Sequence, residues 1–347
     1  FGQKIVEEYP VDYVVRGEAE KSVIPLLRLI EKKAKLEEVP GLVYKENGEI
    51  KLNPVSPLMT PEEISLLPVP LYEKLPEGTH SWLSIESSRG CVNRCIYCSV
   101  PYQKNWRPLS AKSFVDHIEA YIPYLGKVCT GKFLFIDDSF IIDVNRAREI
   151  AKLLRERQID IKAIWNGHIM ELREEEMLSE LDPYTEAILV GAESFHEETL
   201  KKIGKHFKPE DILKGTEVAV KIGMGKKLLF SFIIGFPWQN KEMIIEEIDK
   251  IYSLICKSGS CALINWLILS PGSPMWNEFY RKNQVSLRNY RTLYQAWKEE
   301  VFPLSDLEVE EINSYIKSLQ DTIPGGKYRF QPIHGINTIM EKVFPDK

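Results

Sequence analysis

Cys91, Cys95 and Cys98 stand in the spacing C-x3-C-x2-C. Three thiolates on one loop can hold three irons of a cubic iron–sulfur cluster, and the fourth iron is then open to a small ligand. Soft thiolates select iron–sulfur or zinc. Structural zinc wants four closed ligands, usually as two pairs. Here three ligands share one loop, and His117 and Cys129 join them only if the fold brings them there. A triple at this spacing arises by chance in about 0.002 of chains of this composition. Cys129, Cys256 and Cys261 sit in apolar surroundings and read as buried filler. Six cysteines in 347 residues are too sparse for a disulfide scaffold.

Such a loop needs a platform. A β–α alternation begins near residue 82, with candidate strands at 82–87, 132–136, 161–166, 186–190, 228–234 and 262–269. Apolar residues recur between them at helical spacing. Phe114, Val115, Ile118 and Ile122 follow Ser110, and Val144, Ala147, Ile150, Ala151 and Leu154 follow Asp143, a candidate N-cap. Ile212 and Leu213 follow Pro209 at a first helical position, and Ile244, Ile248, Ile251 and Ile255 mark a further helix. Every interval between strands leaves room for a crossover helix. An α/β protein with six parallel strands is expected, as an open sheet or a partial (β/α)6 TIM-like barrel. Parallel barrels place their sites on the loops after the strands' carboxyl ends, where the cysteine loop falls.

The flanks differ from this core. Val11–Val15 leads through a turn into an apolar helical pattern at Val23, Leu26, Leu27 and Ile30. This strand–turn–helix unit (1–38) reads as the end of an α/β domain. Leu42–Tyr44 and Ile50–Leu52 flank Asn47-Gly48, a strong hairpin signal, and a proline-rich stretch completes a hairpin-and-linker segment (39–79). Residues 80–275 form the barrel. Residues 276–347 read as a helical extension rich in aromatics, among them Trp276, Phe279, Tyr280, Tyr290, Tyr294 and Trp297.

Composition narrows the function classes. The net charge is −5, apolar content is 44% and charged content 27%, which excludes a disordered, collagenous or coiled-coil chain. An acidic balance argues against binding nucleic acid by bulk charge. Lys201, Lys202, Lys205, Lys221, Lys226 and Lys227 read as solvated surface. Pro324-Gly325-Gly326-Lys327 is a turn and not a phosphate cradle, because Tyr328 stands where Ser or Thr is needed. No apolar run is long enough to span a membrane. The chain opens FGQKIVEEYP, with no Met and no apolar signal core, so an upstream segment is expected in the natural protein.

The cysteine loop, with Tyr97 before its third cysteine, resembles the radical S-adenosylmethionine (radical SAM) superfamily. Further motifs fall in order at strand ends: FIDDSF at 135–140, GAES at 191–194, IIGFP at 233–237 and PGSP at 271–274. Together they resemble the cobalamin-binding subgroup. DYVVRGEAE at 12–20 and PGL at 40–42 resemble the stretch joining that subgroup's Rossmann-like cobalamin domain to the barrel. The resemblance covers about residues 10–275.

The resemblance implies that Cys91, Cys95 and Cys98 hold a [4Fe–4S] cluster and that S-adenosylmethionine binds its open iron. Reductive cleavage would give a 5′-deoxyadenosyl radical, used in the full-length protein for cobalamin-dependent C-methylation or related carbon-skeleton chemistry. Tyr97, Asp137, Asp138, Glu193, Ser194, Gly235 and Leu269 are the implied cofactor-binding residues. Residue by residue, each has a plainer alternative. Tyr97 would instead be loop packing, Glu193 and Ser194 would serve a salt bridge with a neighbouring lysine, Asp137 or Asp138 would be a helix cap, Gly235 a tight turn and Leu269 core. His168 would face substrate or be a satisfied core histidine, and Arg89 and Arg94 would tune the cluster or form loop salt bridges.

The expected partners are a small-molecule substrate and a reductant such as flavodoxin or ferredoxin, with no nucleic acid, in a reducing cytoplasm. The subgroup's histidine loop, Asp-x-His-x-x-Gly, does not occur in residues 1–347, so cobalamin is expected only with a full-length protein. Gly167-His168 and Pro237-Trp238-Gln239 replace the usual Arg and Pro-Gly-Glu. A methylthiotransferase-like RNA-modifying enzyme and a zinc-stapled binding module are the competing readings.

Overall fold

The computed structural model describes residues 2–78, 80–100, 105–129, 131–283, 302–323, 325 and 329–333. The chain opens with α1 (Gly2–Glu8), β1 (Tyr13–Val15), α2 (Glu20–Ile30), the hairpin β2 (Leu42–Glu46) and β3 (Glu49–Leu52), and a short α3 (Pro61–Ser65). Then come β4 (Leu83–Ile85), two-residue strands β5 (Ser88–Arg89) and β6 (Arg107–Pro108), α4 (Ala111–Tyr121), β7 (Phe133–Phe135) and α5 (Val144–Glu156). They are followed by β8 (Ala163–Gly167), α6 (Glu175–Leu181), β9 (Thr185–Glu193), α7 (Glu197–Lys202) and α8 (Pro209–Lys221). The last elements are β10 (Leu228–Ile234), α9 (Lys241–Ser258), β11 (Cys261–Trp266), α10 (Pro274–Asn283), α11 (Asp306–Gln320) and β12 (Phe330–Ile333).

The main sheet runs β4-β7-β8-β9-β10-β11-β12, every neighbouring pair parallel. Strand order follows chain order with helices as crossovers, which is the architecture of a partial TIM-like barrel. The six expected strands are all present. The seventh, β12, adds one strand to a tail whose other described elements are the helices α10 and α11. Pro332 removes a ladder donor and argues against a strand in the sequence, yet an edge strand tolerates it. Tyr290, Tyr294, Trp297 and most of the 324–328 turn lie outside the described residues.

The strands' period of two divides the sheet's faces. Trp165, Ile188, Val190, Phe230 and Phe232 face the helices and pack with Ile150, Ile244 and Ile248 in one large core. Ile164, Ala187, Leu229, Cys261 and Leu263 form a separate apolar cluster at the base of the opposite, concave face. Two residues further along the same strands come Asn166, Ser231 and Asn265, and the Asn265 side-chain amide donates to Ser231 Oγ at 3.1 Å. The concave face therefore turns from apolar at its base to polar at the strands' carboxyl ends.

The helix signals hold. Ser110 and Asp143 cap α4 and α5, Pro209 opens α8, and α9 runs from an Asn240 cap to Gly259 in the left-handed region. Cys129 and Cys261 are buried, but Cys256 is exposed on α9. That corrects its reading as filler, because the residue follows Ile255 onto the helix's outer side.

At the amino end, Asn47 and Gly48 form the expected two-residue turn with positive φ. β1 pairs antiparallel with β2, Val15 opposite Leu42, giving a three-stranded sheet. The apolar pattern of α2 is split between two faces. Leu26 and Leu29 pack on Val39, Leu42 and Tyr44, whereas Val23, Ile24, Leu27 and Ile30 are exposed.

Candidate active site

The cysteine loop leaves the carboxyl end of β4. Its two ends are stapled together by β5 and β6, with Ser88 opposite Pro108 and Arg89 opposite Arg107. Asp137, just past β7, fixes this staple from below. Its buried carboxylate accepts from the Ser87 backbone N–H at 3.2 Å, from Ser87 Oγ at 2.8 Å and from Ser88 Oγ. Arg146, reaching in from α5, donates to the carbonyls of Ser87 and Leu109 at 2.8 and 2.7 Å. Burial pushes the Asp137 carboxyl up to about 6, against the hydrogen bonds from the serines and the charge of Arg146. Asp138 is exposed at the surface; partial desolvation raises its carboxyl, against a hydrogen bond it accepts from the Gly90 backbone. The paired acids thus both hold the approach to Cys91, and the helix cap is Asp143 instead.

Arg89 is a salt-bridge hub. It pairs with Glu18, Glu20 and Glu86 at 3.2, 2.7 and 2.7 Å, and Glu18 also meets Arg107 at 2.9 Å. The amino-terminal unit is therefore ion-paired to the residue two before Cys91.

Within the loop, backbone N–H groups of Asn93 and Val100 donate to the sulfurs of Cys91 and Cys98, each at 3.4 Å. Cys95 is buried and its thiol is pushed up by burial, with Lys205 acting in the opposite direction. The loop docks through Ile96, whose N–H meets Ile203 O at 3.1 Å and whose carbonyl accepts from Met275 at 3.0 Å. Gly204 makes this approach possible. Its φ is +82°, and a Cβ there would stand 2.9 Å from the Arg94 carbonyl.

Next to Gly204 is the residue that sequence reasoning misplaced. Lys205 is not solvated: its side chain is 7% exposed and its ammonium lies 3.1 Å from Glu193, which is equally buried. Burial opposes the lysine's charge, but Glu193 and the thiols of Cys95 and Cys91 outweigh it and lift its pKa above the ordinary value. The Tyr97 hydroxyl bonds to Glu193 and Cys95, and burial pushes that phenol well up. Gly191 leaves room for the pair, since a Cβ there would fall 2.6 Å from the Glu193 carboxylate and 3.4 Å from Lys205. Tyr97, Glu193, Lys205, Cys91 and Cys95 thus form one group at the barrel mouth, with Glu193, Lys205 and Cys95 buried and Cys91 and Tyr97 partly exposed.

The other expected residues are not part of that group. Ser194 donates to Glu247 of α9 at 2.7 Å. Gly235 opens a tight turn held by Gln239, which accepts from its N–H at 2.8 Å, and it packs against Trp266 and Phe302. Leu269 lies in the main core. His168 packs edge-on to Phe207 with centroids 5.2 Å apart, and Lys205 lies 5.9 Å over the same ring. His168 Nδ1 is 3.3 Å from Glu171, while its Nε2 is buried without a hydrogen bond. A cleft of about 860 Å³ between α7, α8 and α9 is lined by none of the cysteines, nor by Glu193 or Lys205.

Among the described residues, no three His, Cys, Asp or Glu side chains converge on one ion. A cubic cluster needs no such convergence, because each thiolate takes a different iron. The potential fourth zinc ligands are engaged elsewhere. His117 bonds the Ser65 carbonyl at 2.9 Å, and Cys129 precedes β7, at the opposite end of the barrel. Three loop thiols, N–H groups aimed at sulfur and a buried ammonium beside them fit an iron–sulfur cluster.

Comparison with known proteins agrees. Residues 85–251 match the radical SAM superfamily. The matched residues run from the end of β4 into α9 and so take in most of the barrel. An uncharacterized methyltransferase of Pyrococcus horikoshii is 27% identical over 290 residues, covering 81% of this chain and 61% of that protein. Two solved structures share the fold. One is the radical S-adenosylmethionine methyltransferase TsrM from Kitasatospora setae, with cobalamin and a [4Fe–4S] cluster bound. It has a TM-score of 0.68 at 16% identity, covering 96% of this chain and 72% of that one. The other is the cobalamin-dependent S-adenosylmethionine radical enzyme OxsB, with a TM-score of 0.61 at 19% identity, covering 91% and 56%. The chain therefore spans about three-fifths of its curated relative's length. Among the described residues, no helix is long and apolar enough to cross a membrane.

Proposed function

We propose that Cys91, Cys95 and Cys98 bind a [4Fe–4S] cluster that opens onto the concave face of the barrel. The observation carrying this reading is the Glu193–Lys205 ion pair buried against the cysteine loop. When bound, the cluster supplies the electron that cleaves S-adenosylmethionine to methionine and a 5′-deoxyadenosyl radical. The chain's own residues bind, orient and shield. Lys205 offsets the negative charge that thiolates bring into a dry site. Glu193 accepts from Lys205 and Tyr97, leaving a carboxylate at the strand end to receive the cosubstrate's polar groups. Asp137 and Asp138 hold the loop's approach rigid. Asn166, Ser231 and Asn265 offer polar groups to a small substrate above an apolar base that excludes water.

The finer reading is cobalamin-dependent C-methylation, or a related carbon-skeleton reaction, in a full-length protein that draws electrons from a flavodoxin- or ferredoxin-like donor in a reducing cytoplasm. Residues 1–38 would be the closing strand–helix unit of a cobalamin domain. The outward apolar face of α2 supports this, with Ile24 and Ile30 55% and 60% exposed. Anaerobic reconstitution tests the assignment. About four irons and four sulfides per chain are expected, lost in each of Cys91→Ala, Cys95→Ala and Cys98→Ala. Full iron content in Cys95→Ala, or a colourless protein holding zinc, would overturn it.

A further inference from the structure

Glu193 carries its side chain to the cysteine loop from an unfavourable backbone. Its φ is +62°, a left-handed conformation that disfavours residues with a Cβ. The strand is bulged there: Gly191 pairs with Ser231 and Glu193 with Phe232, leaving Ala192 extra. Such outliers persist only where the surroundings over-determine them.

The surroundings are supplied by one side chain from α9. Glu247 is fully buried, on the face of α9 that carries Ile244, Ile248 and Ile251 into the core. Its carboxylate accepts from Ser194 Oγ at 2.7 Å and from the Phe195 backbone N–H. Ser194 Oγ in turn accepts from the His196 N–H at 3.0 Å. His196 Nε2 stands 3.5 Å from Glu247 and is within hydrogen-bonding distance, 3.0 Å, of the Met243 carbonyl. A buried carboxylate is retained only when donors surround it. These donors come from the residues directly after Glu193.

We propose that Glu247 is a positioning residue: it clamps the 194–196 turn, holds Glu193 in its left-handed backbone, and so keeps the Glu193–Lys205 pair against Cys91 and Cys95. This deepens the radical SAM reading and rests on it.

The test uses anaerobically reconstituted protein and S-adenosylmethionine itself as the probe. Glu247→Leu removes both acceptors at similar size. Glu247→Gln keeps an acceptor for Phe195 N–H, and its amide can donate to Ser194 Oγ. With iron content unchanged, Glu247→Leu weakens S-adenosylmethionine binding at least about tenfold, whereas Glu247→Gln stays within about threefold of wild type. Wild-type affinity in Glu247→Leu, or equal losses in both variants, overturns the clamp. If Glu247→Leu does not fold, Ser194→Ala takes its place, with a loss of about threefold or more expected and none overturning the proposal.

A second measurement needs no cofactor. In the metal-free chain, Glu193→Gly relieves the left-handed strain, so the melting temperature lost through Ser194→Ala must be smaller in the glycine background. Additive losses overturn the clamp. A wild-type protein that holds its cluster but does not bind S-adenosylmethionine refutes the radical SAM reading instead, and the thermal cycle still decides the clamp.

Discussion

The Asp137 carboxyl gives a prediction whose size and sign both follow from the structure. It is fully buried, and that burial pushes it up to about 6 from its ordinary value of 3.8. The folded protein thus holds this proton more tightly than the unfolded chain does. Stability from the protonated form is complete below about pH 4 and is lost as pH rises through about 6. A carboxyl raised from 3.8 to about 6 corresponds to about 3 kcal/mol in full. Asp137→Asn provides the reference. Its amide can accept from Ser87 N–H and donate to the seryl oxygens, but it does not titrate. Urea unfolding of both metal-free proteins from pH 4 to pH 7 gives the difference, and the other titrating groups cancel. Wild type relative to Asp137→Asn should lose about 2.4 kcal/mol across that range, about 2 kcal/mol of it between pH 4 and 6. A difference independent of pH, or one that grows in wild type's favour, would refute the reasoning.

Two further substitutions probe the same loop. Lys205→Met leaves Glu193 buried without its cation, so urea unfolding of the metal-free chain should show a loss of about 3–5 kcal/mol. A loss below about 1 kcal/mol would mean that the pair is solvated. Gly204→Ala imposes a Cβ at φ +82° and 2.9 Å from the Arg94 carbonyl. Strain of about 1–2 kcal/mol and a displaced cysteine loop follow, so reconstituted iron content should fall while the far-ultraviolet circular dichroism is retained.

The barrel was legible because its signals are local. Each of the six core strands carries a short apolar run, and Asp143, Pro209 and Asn47-Gly48 mark their elements by backbone chemistry alone. The cysteines were legible because three soft ligands at close spacing have few other uses. What stayed hidden depends on partners distant in the chain. Lys205 sits in a lysine-rich stretch and looks solvated. Only the turn at Gly204 delivers it to Glu193, and the Ile203-Gly204 break in the lysine run was the available signal. Glu247 occupies an inward position beside Ile244, Ile248 and Ile251, so a lone acid on an apolar helical face could have exposed it. Asp137 and Asp138 were singled out as a pair, but their use as anchors for the cysteine loop depends on β7 lying beside β4. The β12 strand was masked by its own proline.

The central claim is that this cysteine loop supports reductive cleavage of S-adenosylmethionine, and 5′-deoxyadenosine measures that most directly. The reconstituted protein is incubated anaerobically with S-adenosylmethionine and dithionite, and the product is quantified by mass spectrometry. The account predicts 5′-deoxyadenosine from wild type and none above background from Cys91→Ala, Cys95→Ala or Cys98→Ala. A wild-type protein shown to carry its full [4Fe–4S] cluster but forming no 5′-deoxyadenosine would contradict it.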